Sequence, residues 1–109
     1  MPATTITATA IASALLVASP FTAEAAETQD HLEYCNAIGS LAEQIMTTRQ
    51  SGVPMQEMIA VDPSHDLGVE MIRDAFDTNR YNTAEVQQQV ITEFSNDWFA
   101  ACLDATESA

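Results

Sequence analysis

Residues 83–105 read TAEVQQQVITEFSNDWFAACLDA, and this stretch decides the fold. Apolar side chains recur in it at steps of four residues, at Val86, Val90, Phe94, Trp98 and Cys102. Such spacing places the side chains on one face of an α-helix. Neither glycine nor proline interrupts the stretch. The pattern therefore predicts a long amphipathic helix at the end of the chain, with Asn82 as its N-cap.

A second long stretch, residues 30–50, carries the same helical periodicity. Its apolar side chains follow at steps of three and four, at Tyr34, Ile38, Leu41 and Ile45. Asp30 and Glu33 predict the start of the helix because their carboxylates can accept hydrogen bonds from free N–H groups of the first turn. Gly52 predicts its end, since a glycine readily adopts the left-handed conformation that terminates a helix.

Two shorter helices are predicted between the long ones. Residues 54–60 form the first, with Pro54 at the tolerated first position, and residues 66–77 form the second. No stretch shows the alternating pattern of a strand. The fold class predicted is all-α, a small four-helix bundle in the order long-short-short-long.

The start of the chain resembles an export signal. Residues 10–18 read AIASALLVA, Pro20 follows, and Ala23 and Ala25 place small residues where a signal peptidase cleaves. Residues 1–9 contain no lysine or arginine, so the usual basic start is missing, and a tail that is never cleaved is the alternative. We predict a signal peptide of residues 1–25 and a single helical domain of residues 26–109. The compartment predicted is the periplasm or the extracellular medium, and no membrane span is expected in the mature chain.

Cys35 and Cys102 are the only cysteines. In an exported chain such a pair predicts a disulfide. A redox-active pair is the alternative, but those cysteines usually lie close together in sequence. Because bonded cysteines bring their Cα atoms within about 7 Å, the bond places the first and last helices side by side and antiparallel.

The charge is strongly one-sided. The chain has 16 acidic residues, three arginines and no lysine, which gives a net charge of −13. Loss of Glu24 with the signal peptide leaves 15 acidic residues against three arginines, or −12. A field of this sign disfavours binding to nucleic acid and anionic lipid, and it favours cationic partners. Adaptation to a saline environment explains the acidity better than a ligand site does.

No sequence motif indicates catalysis, and the chain is predicted not to be an enzyme. His65 has Asp62 and Asp66 close by, but this loop lacks the spacing of a metal site. Outside the cytoplasm methionines can bind Cu(I), and the sequence offers Met46, Met55, Met58 and Met71. Each occupies an apolar helical position, which favours core packing. No metal or other cofactor is therefore predicted.

Three short elements support a resemblance to known sequences: MTTRQSG at residues 46–52, Arg80-Tyr81, and Glu93-Phe94 ahead of Cys102. Together they resemble a loose group of short exported proteins of proteobacteria and their phages. The resemblance covers residues 33–103 and implies a helical fold and export, with no activity or site residue. We interpret Arg49 and Arg80 as structural cations that pair with carboxylates such as Glu85 or Glu93.

The function expected from these observations is that of a non-enzymatic protein-interaction module of the cell envelope. An exposed groove lined by Met55, Met58 and Met71 is the predicted contact surface, and the partner is another envelope or secreted protein. A periplasmic holdase that acts under acid stress is the alternative, because protonation of the many carboxylates could loosen the packing. A copper-handling protein is a further alternative.

Overall fold

The computed structural model describes residues 19–108, with the side chains of residues 29–106. The chain divides into two units, Met1–Asp30 and His31–Ala109. In the first unit the described part, residues 19–30, is helical. Residues 1–18 of the predicted signal peptide lie outside the described residues, so cleavage after Ala25 stays a prediction.

The described residues contain four helices and no strand. The helices are α1 (Ser19–Gln50), α2 (Met55–Val61), α3 (Asp66–Ala75) and α4 (Ala84–Ser108). This order confirms the predicted all-α bundle with two long helices at the ends and two short ones between them.

The start of α1 differs from the prediction. The described helix, Ser19–Gln50, extends upstream of Asp30, so Asp30 lies inside it and does not cap it. Pro20 lies within the described helix. Residues 22–29 read TAEAAETQ and are mostly good helix formers, which extends the helix upstream of the predicted start.

Gly52 ends α1 as predicted. Its φ angle is +95°, in the left-handed region. The N–H of Gly52 donates to the carbonyl of Arg49 at 3.0 Å, and the N–H of Val53 donates to that of Thr48 at 3.4 Å. These two bonds form a Schellman motif, which satisfies carbonyls that the end of a helix would otherwise leave without partners.

Helices α2 and α4 begin one residue later than predicted, and α3 begins at Asp66 as predicted. Pro54 is the N-cap of α2, with extended backbone, and not its first helical residue. The carbonyl of Thr83 accepts from the N–H of Gln87 at 3.0 Å, and its Oγ1 accepts from the N–H of Val86 at 3.3 Å. Thr83 therefore caps α4, because the N-cap is the residue whose carbonyl accepts the first helical bond. The prediction of Asn82 was wrong.

Helices α1 and α4 lie antiparallel within the second unit. Their disulfide, Cys35–Cys102, is present as predicted, with the two Cα atoms 5.5 Å apart. Further along α1, the carbonyl of Gly39 accepts a hydrogen bond from Ser95 Oγ at 2.8 Å. A Cβ on Gly39 would lie 3.4 Å from the Cβ of Phe99, at ordinary van der Waals distance, so the two helices pack directly against each other here.

The buried core draws on all four helices. Its members are Ile38, Ala42, Ile45, Met46, Met58, Met71, Ile72, Ala75, Ile91 and Phe94. Met71 has no exposed surface, and Met58 is 7% exposed. The prediction that Met71 lines an exposed groove was therefore wrong. The flexible side chains of the two methionines fill the space where the short helices pack on α1.

Candidate functional site

A groove opens where α1, α2 and α3 meet. Its volume is about 310 Å³. It is lined by apolar side chains from each helix, together with a few polar groups at its edge. The lining residues are Leu41, Gln44, Ile45, Thr48, Met58, Val61, Asp62, His65, Gly68 and Ile72.

The wall formed by α1 follows directly from helical spacing. Leu41, Gln44, Ile45 and Thr48 lie at steps that place them on one face of a helix. Ile45 also belongs to the buried core, so the floor of the groove continues into the protein interior. The hydroxyl of Thr48 donates a hydrogen bond to the carbonyl of Gln44, within the same helix, at 2.8 Å.

Val61 forms an exposed apolar rim. It is the last residue of α2 and is 85% exposed, the largest exposed fraction among the large hydrophobic side chains of the described residues. Met58, one turn earlier, points into the core and anchors the helix. Full burial of a valine side chain stabilises by about 1.5 kcal/mol or more, so a ligand that covered Val61 would gain free energy.

The end of the groove is formed by the short connector between α2 and α3. The carbonyl of Asp62 accepts from the N–H of His65 at 3.1 Å, and its Oδ1 accepts from Ser64 Oγ at 3.0 Å. His65 in turn caps α3, because its Nδ1 accepts from the N–H of Gly68 at 2.8 Å. A Cβ at Gly68 would lie 2.7 Å from that Nδ1, so only glycine leaves the cap undisturbed.

The three methionines of the predicted surface do not come together. Met58 lines the floor of the groove, and Met71 is buried in the core. Met55 lines a separate hollow on the other side of α3, beside Trp98. In that hollow the indole N–H of Trp98 donates to Asp74 Oδ2 at 2.9 Å.

Arg49 and Arg80 bond to main-chain carbonyls, not to the carboxylates predicted. Arg49 donates from Nε and Nη2 to the carbonyl of Thr78, at 3.3 and 3.1 Å, and its guanidinium carbon lies 4.2 Å from the ring centroid of Phe76. Arg80 Nε donates to the carbonyl of Gln50 at 3.0 Å. The carbonyls at the end of α1 and in the connector after α3 lack helical partners. They are therefore free to accept hydrogen bonds from the two arginines.

Gln50 is the important residue that sequence reasoning missed. It is 2% exposed and is the one buried polar side chain among the residues described. Its Nε2 donates to the carbonyl of Asn79 at 2.9 Å, and its Oε1 accepts from the N–H of Tyr81 at 2.8 Å. The side-chain amide of Gln50 thus supplies the hydrogen-bond partners of two backbone groups in the connector. The only indication in the sequence that Gln50 is buried was its position one helical turn after Met46, on the same face of the helix.

Two kinds of feature are absent from residues 19–108. No helix there combines the length and the hydrophobicity that crossing a bilayer requires. No group of three or more histidine, cysteine, aspartate or glutamate side chains there is arranged to hold a metal ion.

No protein-family model matches the chain, and neither curated proteins nor solved structures contain a significant match.

Proposed function

We propose that this chain is a non-enzymatic protein-interaction module of the cell envelope and that the groove between α1, α2 and α3 is its binding surface. The observation that carries the proposal is Val61, an apolar side chain 85% exposed at the edge of an apolar hollow. A contact patch of this kind, concave and rimmed by polar groups, is typical of sites where proteins bind partners.

The polar groups at the edge of the groove help to hold its shape. Thr48 Oγ1, Asp62 Oδ1 and His65 Nδ1 each make a hydrogen bond within one or two turns of their own segment. A binding surface whose edge is fixed in advance loses less conformational entropy when a partner docks.

The scaffold supports the same proposal. The ends of the second unit are tied together by the disulfide, and the connector before α4 is held by Gln50 and the two arginines. A surface held rigid before binding loses less conformational entropy when a partner docks. An exported protein with such a surface can therefore bind a partner without a large interface.

Replacing Val61 with asparagine is expected to weaken partner binding about tenfold, because about 1.5 kcal/mol of apolar burial is lost. The matched control is Gln88→Asn, which introduces the same side chain at an exposed position of α4. Both variants would be used as oxidised baits in envelope fractions of the source cells, and the bound proteins would be quantified by mass spectrometry. The proposal predicts proteins that are retained by wild type and Gln88→Asn and lost with Val61→Asn. Equal retention by both variants would contradict it.

A further inference from the structure

We propose that the groove recognises a segment of its partner in which an apolar side chain lies next to a lysine or arginine. This inference rests on the proposed function and specifies the chemistry of the partner. The apolar side chain would enter the groove beside Val61, and the cation would lie at the end of α2, next to Asp62.

The apolar half of the site follows from its lining. Leu41, Ile45 and Ile72 form walls from two helices, and Met58 forms part of the floor. A volume of about 310 Å³ is at the small end of the range for ligand pockets, which begins at about 300 Å³. It suits one or two apolar side chains of a peptide, and not the face of a whole domain.

The cationic half follows from the end of α2. The last turns of α1 and α3 each contain an arginine, Arg49 and Arg73, which complements the negative end of the helix dipole. The last turns of α2 and α4 have no basic residue, and of these two helices only α2 ends at the groove. Asp62 is the C-cap of α2 and lines the groove, so its carboxylate adds to the negative end of the helix. A cation from a partner would be attracted by both.

The remaining charges of the protein favour the same partner. None of the three arginines lines the groove: Arg49 and Arg80 bond to carbonyls of the connector and of α1, and Arg73 lines the hollow beside Trp98. The net charge of −13 attracts basic segments over long distances and repels anionic lipid. A second copy of the chain is a poor occupant because it carries the same negative charge and has only three arginines. The apolar residue that precedes Arg73 is Ile72, which is buried.

The probes are three short amidated peptides that differ at one position. Each carries leucine followed by lysine, glutamine or glutamate in an otherwise neutral sequence. Binding to the oxidised full chain would be followed by chemical-shift changes in NMR spectra at low salt. The proposal predicts that the lysine peptide binds most tightly, that its contacts map to Val61 and Ile72, and that added salt weakens it. Equal binding of the three peptides would overturn it.

Two variants separate the local carboxylate from the overall charge. Asp62→Asn keeps an oxygen that can accept from Ser64, and Asp97→Asn makes the same change in net charge at an exposed position of α4. We expect Asp62→Asn to weaken the lysine peptide about fivefold and Asp97→Asn to leave it nearly unchanged. Equal effects of the two variants would overturn the cation site.

The outcomes also separate this inference from the proposed function. If the lysine and glutamine peptides bind the groove equally, the groove remains a binding surface and only the cation site is lost. If the Val61→Asn bait retains the same proteins as wild type, the proposed function itself fails. Self-association through the groove, measured by analytical ultracentrifugation of the full chain, would overturn the partner assignment.

Discussion

Reduction of the Cys35–Cys102 disulfide is expected to lower the free energy of unfolding by up to about 4 kcal/mol. The bond joins residues 67 positions apart, and the entropy that it removes from the unfolded chain grows with the length of the closed loop. A small domain is stable by only about 5 kcal/mol or somewhat more, so the loss would leave it close to unfolding.

Urea denaturation followed by circular dichroism measures this effect. The oxidised wild type is compared with the reduced wild type and with the double variant Cys35→Ala, Cys102→Ala. Alanine is preferred to serine because Cys35 has no exposed surface, and a buried hydroxyl would add its own cost. The stability of the double variant should not change when reductant is added, because it has no disulfide. This comparison controls for other effects of the reductant. Equal midpoints for oxidised and reduced wild type would contradict a stabilising role of the bond.

Replacement of Gln50 by leucine is expected to cost about 2–4 kcal/mol. The substitution keeps an apolar stem of similar size but removes both partners of the connector, the carbonyl of Asn79 and the N–H of Tyr81. Each partly buried backbone group that is left without a hydrogen bond costs about 1–3 kcal/mol. Gln88→Leu is the control because Gln88 is exposed on α4. A change of less than about 0.5 kcal/mol in the variant at Gln50 would contradict the role of this residue.

The substitution Gln50→Glu is expected to make the stability of the protein depend on pH. A protonated carboxyl can donate to the carbonyl of Asn79, whereas a carboxylate cannot, and burial further disfavours the charged form. We therefore expect the folded state to raise the pKa of the introduced carboxyl above its value in the unfolded chain. The variant should be nearest to wild type below the unfolded pKa and should lose stability as the pH rises. Gln88→Glu should show no such trend relative to wild type. A pH-independent difference at Gln50 would contradict the hydrogen-bond geometry.

The helices and the disulfide were predictable because they depend on local spacing and on two residues. Steps of three and four apolar positions predict a buried face whatever the neighbours are. Cys35 lies early in the predicted helix of residues 30–50, and Cys102 lies late in the last helix. A bond between them therefore predicts that the two helices are antiparallel. The glycine that ends α1 was predictable for the same reason, because a left-handed residue is a local requirement.

The partners of polar side chains were not predictable, because they depend on where the connectors pass in space. Arg49 and Arg80 were expected to find carboxylates in so acidic a chain. Instead, they bond to nearby carbonyls that the helix ends leave free. The role of Gln50 depends on residues 79–81 arriving beside it, about thirty positions later in the chain. Met71 was assigned to an exposed groove because periodicity does not show which apolar face another helix covers.

Photocrosslinking from position 61 tests the assignment of function to the groove most directly. A photoreactive amino acid would replace Val61 in the full chain, expressed in the source cells, and a second variant would carry it in place of Gln88. We expect discrete adducts from position 61 alone, with the crosslinked partner segment carrying an apolar residue beside a lysine or arginine. Adducts shared by the two positions, or formed only from position 88, would contradict the groove as the binding surface.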